Sequence, residues 1–188
     1  SLLPELETAR LVLRVPAPED ALHLLGYMQR NRAHLADSGP LRDDAFFNLA
    51  ACETRVAEGC RQARAGEAAN FVIWLRGDRD ASPVGTVALT RIERGPAQSC
   101  SLGYGLDEAC QGMGYMTEAA RAAVDYAFDT LKLHRVESSY APLNERSGSV
   151  LRRLGFHVEG FALDYVCLNG TWRDQVRTAL INPADRKS

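Results

Sequence analysis

Hydrophobic and polar positions along this chain switch between two repeats. Alternation with a period of two marks Thr8 to Val15 (TARLVLRV) as a strand, stopped by Pro16 and Pro18. Glu19 and Asp20 follow where a first helical turn favours acids, and Ala21, Leu22, Leu24, Leu25 and Met28 form an apolar stripe. Ser38-Gly39-Pro40 interrupts the chain, and Asp43 to Ala65 reads as a second helix that Gly66 ends. Three β-rich runs come next: Phe71–Leu75 with a turn at Gly77-Asp78-Arg79-Asp80, Val84–Ile92, and Ser99–Leu106. Their short connections predict an antiparallel meander. After Gly114, the residues Ala120, Val124, Ala127 and Leu131 recur on one face of a long helix. His134–Tyr140 reads as a strand. Asn144 starts a further helix with Val150, Leu151 and Leu154 as its apolar side and Gly155 as its left-handed end. Phe156–Leu168 and Trp172–Ile181 are two last strands joined at Asn169-Gly170, a hairpin signal. These elements predict one α+β domain over residues 1–188.

Composition narrows the function classes. The chain has 188 residues, 46% of them hydrophobic, enough for one well-buried core and short for two. Lys and Arg number 22 against 24 Asp and Glu, so the overall balance lacks a basic nucleic-acid footprint. No apolar run approaches the roughly 20 residues of a membrane helix, and Glu5, Glu7 and Arg10 are unlike a signal peptide. Cys52, Cys60, Cys100, Cys110 and Cys167 are scattered with no C-x-x-C spacing, which argues against a metal site or a disulfide framework and for reduced thiols in the cytoplasm.

The most informative stretch is Gln111-Gly112-Met113-Gly114-Tyr115-Met116-Thr117, between the third β-run and the long helix. Two glycines there let bare N–H groups approach an anion, and the helix start adds its positive dipole end. Read alone, the stretch is either a phosphate cradle or a tight strand-to-helix connection.

The full order (meander, strand into Q-x-x-G-x, helix, strand, Asn-started helix, Gly-Phe strand) resembles the GNAT superfamily of N-acetyltransferases. That resemblance implies a central mixed, mostly antiparallel twisted sheet of about seven strands. Two N-terminal helices, one long helix after the pyrophosphate loop and one C-terminal helix complete the expected fold. The superfamily signature, Gln or Arg, two variable residues, Gly, one variable residue, then Gly or Ala, falls on Gln111, Gly114 and Met116, with Met116 departing from it. N-E-R-S-G at Asn144–Gly148, L-R-R-L-G-F at Leu151–Phe156, E-G-F at Glu159–Phe161 and D-Y-V-C-L-N-G-T-W-R-D at Asp164–Asp174 are similar to the RimJ/RimL-like ribosomal-protein alanine N-acetyltransferases. L-E-T-A-R-L-V-L-R near the N-terminus and N-R-A-H-L at Asn31–Leu35 fit the same group.

The resemblance implies acetyl-CoA as co-substrate, no metal, and the N-terminal amine of a ribosomal protein as acceptor. It implies no nucleic-acid or membrane partner, a monomer or homodimer, and a cytoplasmic enzyme. Cofactor contacts are expected from Leu106, the peptide groups of Gln111, Gly112, Met113, Gly114, Tyr115, Met116 and Thr117, and from Asn144 and Ser147. Catalytic roles fall to Asn144 and to Ser147 as proton donor to the thiolate; the local pattern alone favours a helix cap and a surface serine. Tyr104 and Tyr115 border the same track but read first as aromatic packing, and Arg152 and Arg153 could reach a phosphate but read first as a solvated helix face. No base stands out among Glu93, Glu118, Glu159, Asp164, Asp174, His134 and His157, which leaves a water chain ending on an acid. Asp37, Asp43 and Asp44 read either as an acidic lip for a cationic peptide or simply as the acids that start a helix. Two other functions share these motifs: acetylation of a small amine (antibiotic, polyamine or amino acid), and non-catalytic acyl-CoA binding, which Met116 and the missing base would favour.

Overall fold

A computed structural model describes residues 2–77 and 82–186. One eight-stranded sheet runs through the molecule in the order β1-β2-β3-β4-β5-β6-β8-β7. Its strands are β1 Glu5–Glu7, β2 Leu11–Arg14, β3 Ala69–Leu75, β4 Gly85–Glu93, β5 Ser99–Leu106, β6 Arg135–Tyr140, β7 His157–Leu168 and β8 Thr171–Ile181. The expected meander is β3-β4-β5, antiparallel throughout, and β5–β6 is the parallel pair. Most of the turn expected at Gly77–Asp80 lies outside the described residues.

The eighth strand corrects the first β-run. Thr8–Arg10 is a turn, closed by the Thr8 N–H to the Leu11 carbonyl at 2.9 Å and the Leu11 N–H to Thr8 Oγ1 at 2.9 Å. β1 and β2 pair across it. Alternation that continues through Thr8-Ala9-Arg10, with no Gly, Pro or Asn, conceals that turn. The second helical run also divides. α1 is Ala21–Arg30 and α2 the short Arg32–Leu35, while Asp44–Phe47 forms a 3-10 turn before α3, Leu49–Ala65. Asn48, with φ −109° and ψ 163°, accepts from the Ala51 N–H at 2.8 Å and so starts α3 as its N-cap.

α4, Tyr115–Asp125, packs against β2, β4 and β5. Its buried face is Ala119, Ala120, Ala123 and Val124, small enough to bring the helix close to Leu11, Leu13, Phe71, Ile73, Val87 and Leu89 of the strands. The helix ends in a π-turn over Tyr126–Thr130, and α5 is Glu145–Leu154. At the hairpin tip Asn169 and Gly170 have φ of 47° and 74°, the left-handed pair that a two-residue turn needs.

Candidate active site

Beside β5 the sheet opens. β5 and β6 pair only at Ser99–Arg135, Cys100–Val136 and Ser101–Glu137. Ser138 Oγ then donates to the Leu102 carbonyl at 2.9 Å, and beyond it β6 continues on β8 alone as far as Tyr140. On the other edge of β5, the Asp107 N–H donates to the Val84 carbonyl. Strand alternation therefore turns the peptide groups of Tyr104 and Leu106 toward the gap. A cleft of about 620 Å³ occupies it.

The glycine turn forms one end of this cleft. Gly112 and Gly114 have φ of 78° and 77°, a backbone that side-chain-bearing residues resist, and Gly114 is the N-cap of α4. The first main-chain bond of α4 runs from the Glu118 N–H to the Gly114 carbonyl at 3.1 Å. The N–H groups of Tyr115, Met116 and Thr117 precede it and have no partner within the helix. All three residues line the cleft, as do Gln111, Gly112 and Gly114; Met113 is exposed and does not. Met116 is 7% exposed, with its side chain in the core cluster, so the departure from the signature leaves its N–H unobstructed by its own side chain.

A residue the sequence reading passed over holds the turn in place. Arg10 donates through Nη1 to the Met113 carbonyl at 2.9 Å and through Nε to Glu118 at 2.7 Å, and its guanidinium lies 4.6 Å over the Tyr115 ring. Glu118 also accepts from the Thr8 hydroxyl at 2.6 Å and the Arg10 N–H at 2.9 Å. Burial alone would raise its pKa, but these bonds outweigh it and hold the carboxyl below the ordinary glutamate value. Glu118 is a structural anchor rather than a base.

The other arm of the cleft is α5. Asn144 Oδ1 accepts from the Ser147 N–H at 3.2 Å, as the cap reading expects. Ser147 Oγ lies 2.8 Å from the Tyr104 hydroxyl, which also reaches the Ser147 carbonyl at 3.2 Å. Burial pushes Tyr104 up to about 12, so the phenol stays protonated at neutral pH. Arg146 and Arg153 line the cleft; Arg146 donates to Gln111 Oε1, and Gln111 Nε2 lies 3.0 Å from His34 Nε2 on α2. Gln111 thus bridges the two lips. With its oxygen on Arg146, its amide N–H donates to His34 Nε2, which requires the imidazole lone pair there.

No carboxylate is among the described lining residues, and His34 lines the cleft beside Gln111. Glu93 pairs with Ser99 at the opposite end of β5. Glu159 is tied to Arg135, which lowers its pKa, and Asp174 accepts from the Asp164 N–H at 2.9 Å. His134 pairs with Asp185 on the surface, and His157 is exposed. The three lip acids have partners of their own: Asp37 accepts from Asn169, Asp43 from the Phe46 N–H, and Asp44 pairs with Arg32.

A splayed β5–β6 pair with an anion-ready helix start at its end defines an acyltransferase architecture, and the likeness to known proteins agrees. The Acetyltransferase (GNAT) domain family matches residues 10–157, and the chain belongs to that family of acetyltransferases. It is 36% identical over 178 residues to the [ribosomal protein uS5]-alanine N-acetyltransferase of Escherichia coli, covering 95% of this chain and 91% of that one. The crystal structure of the ribosomal-protein-S5-alanine acetyltransferase from Vibrio fischeri superposes with a TM-score of 0.90 at 34% identity, over 98% of this chain and 100% of that one. Mycobacterium smegmatis RimJ in complex with CoA-disulfide gives 0.87 at 25% identity, over 99% and 90%.

Proposed function

We propose that this enzyme transfers the acetyl group of acetyl-CoA to the N-terminal amine, alanine by preference, of a ribosomal protein. The observation that carries the reading is the unpaired edge of β5 leading to the glycine turn. N–H groups from Gly112 to Thr117 and the dipole of α4 suit the diphosphate, with Arg146 and Arg153 adding charge opposite. The peptide groups of Tyr104 and Leu106 suit the amides of the pantetheine arm, and Asn144 and Ser147 border its far end. Acetyl-CoA, as co-substrate, supplies the acyl group. The neutral amine attacks the acyl carbon, the C–N bond forms, the C–S bond breaks, and sulfur gains the proton that nitrogen loses. Ser147 donates a hydrogen bond to the sulfur as charge develops there. The named relatives of Escherichia coli and Vibrio fischeri support a ribosomal-protein acceptor, and the complex of the Mycobacterium smegmatis protein supports the CoA track.

Mass spectrometry of protein N-termini, in cells with and without the gene, tests the acceptor. One ribosomal-protein N-terminus losing its acetyl group on deletion is the expected result. Unchanged ribosomal N-termini, with turnover of polyamines or other small amines by the purified enzyme, would overturn it.

A further inference from the structure

We propose that Tyr104 is a positioning residue that aims the Ser147 hydroxyl at the leaving sulfur. The inference rests on the role just given to Ser147. The Tyr104 hydroxyl can donate either to the Ser147 carbonyl at 3.2 Å or to Ser147 Oγ at 2.8 Å. In the first arrangement the serine proton is free to point back at the phenol oxygen. In the second, the phenol proton occupies a lone pair of Oγ, and the serine O–H must turn elsewhere. Ser147 and Tyr104 both line the cleft, so an acceptor in the cleft favours the second arrangement. Sulfur carrying negative charge is such an acceptor.

The rest of the serine is already held. Its N–H is bound by Asn144 Oδ1 at 3.2 Å, and the next residue, Gly148, admits the Tyr140 ring so closely that a Cβ there would lie 2.9 Å from Tyr140 Cε2. Helix and backbone are thus set, and the side-chain torsion with its hydroxyl rotor is the remaining freedom. Tyr104 controls it.

Tyr104 acts through Ser147 rather than as the source of the proton. A phenol is a weaker acid than a thiol, and burial pushes this one further up, so handing its proton to the thiolate is uphill. What the phenol supplies is a directed hydrogen bond, and sulfur ends with the proton released by the amine.

The test is a double-mutant cycle on the full chain, with kcat, KM and acetyl-CoA affinity measured for Tyr104→Phe, Ser147→Ala and the double variant. Tyr104→Phe keeps the ring, and its melting temperature reports whether packing is kept. The expected result is a kcat about tenfold lower with KM and affinity within about twofold, and little further loss when Tyr104→Phe is added to Ser147→Ala. Acetyl-seleno-CoA, whose leaving group is the weaker base, should lose less than acetyl-CoA on Tyr104→Phe. Ser147→Ala with full turnover would remove the role given to Ser147. An impaired Ser147→Ala beside a fully active Tyr104→Phe, an additive double variant, or equal losses with both donors would overturn the present inference alone.

Discussion

Replacing Arg10 by Ala tests whether the glycine turn is held from outside. The change removes the bond to the Met113 carbonyl, the pair with Glu118 and the stacking on Tyr115. Arg10's side chain is 48% exposed and Glu118's 19%, so the ion pair is closer to the surface class and contributes about 0.5–1 kcal/mol. The carbonyl bond adds about 1 kcal/mol and the stacking about 0.5 kcal/mol. Glu118 keeps the Thr8 hydroxyl and the main-chain N–H of residue 10, both of which survive the substitution. The expected loss in urea denaturation is therefore about 2–2.5 kcal/mol. Acetyl-CoA affinity, read by calorimetry on folded protein, should weaken about threefold to tenfold, because a looser turn must be ordered on binding. Arg10→Lys should lose nearly as much, since an ammonium cannot span the Met113 carbonyl and Glu118 as the guanidinium fork does. A variant with lowered stability and an unchanged dissociation constant would refute the preorganising role.

Two further expectations concern the same element. Glu118's folded pKa lies below its unfolded value, so its stabilising contribution is full above about pH 4.3 and is lost as pH falls through the folded value. The melting temperature of Glu118→Gln should therefore vary less than the wild type's below about pH 4.5; parallel curves would contradict this. Met116→Ala should cost about 2–5 kcal/mol through the cavity it leaves, yet leave acetyl-CoA affinity within about twofold because the N–H remains. A large affinity loss in the folded variant would mean that the side chain itself touches the ligand.

Local patterns made much of the molecule legible from sequence. β5 runs from Ser99 to Leu106 as the third β-rich run predicts, the alanine stripe of α4 is the face against the sheet, and Asn144 and Asn169-Gly170 cap and turn as expected. Patterns that a single segment carries were readable because propensity and burial agree there. The turn at Thr8 escaped because no Gly, Pro or Asn marks it, and the break at Asn48 because the apolar run Phe46-Phe47 before the cap reads as helix. Arg10 escaped for a different reason: its partners Met113 and Glu118 are 103 and 108 residues away in sequence. The Tyr104–Ser147 and His34–Gln111 contacts, 43 and 77 residues apart, are likewise products of the fold. The catalytic base stayed unassigned because the acids nearest in sequence to the motifs are tied to other groups, and His34, within the N-R-A-H-L stretch, meets Gln111 only through the fold.

Amide proton–nitrogen NMR spectra of the enzyme, titrated in parallel with CoA and with pantetheine, which lacks the diphosphate, probe the cradle itself. If main-chain donors at the start of α4 grip the diphosphate, the Gly112 to Thr117 amides shift strongly with CoA and little with pantetheine, while Tyr104 and Leu106 shift with both. Saturating CoA that leaves the Gly112 to Thr117 amides unmoved would contradict the account.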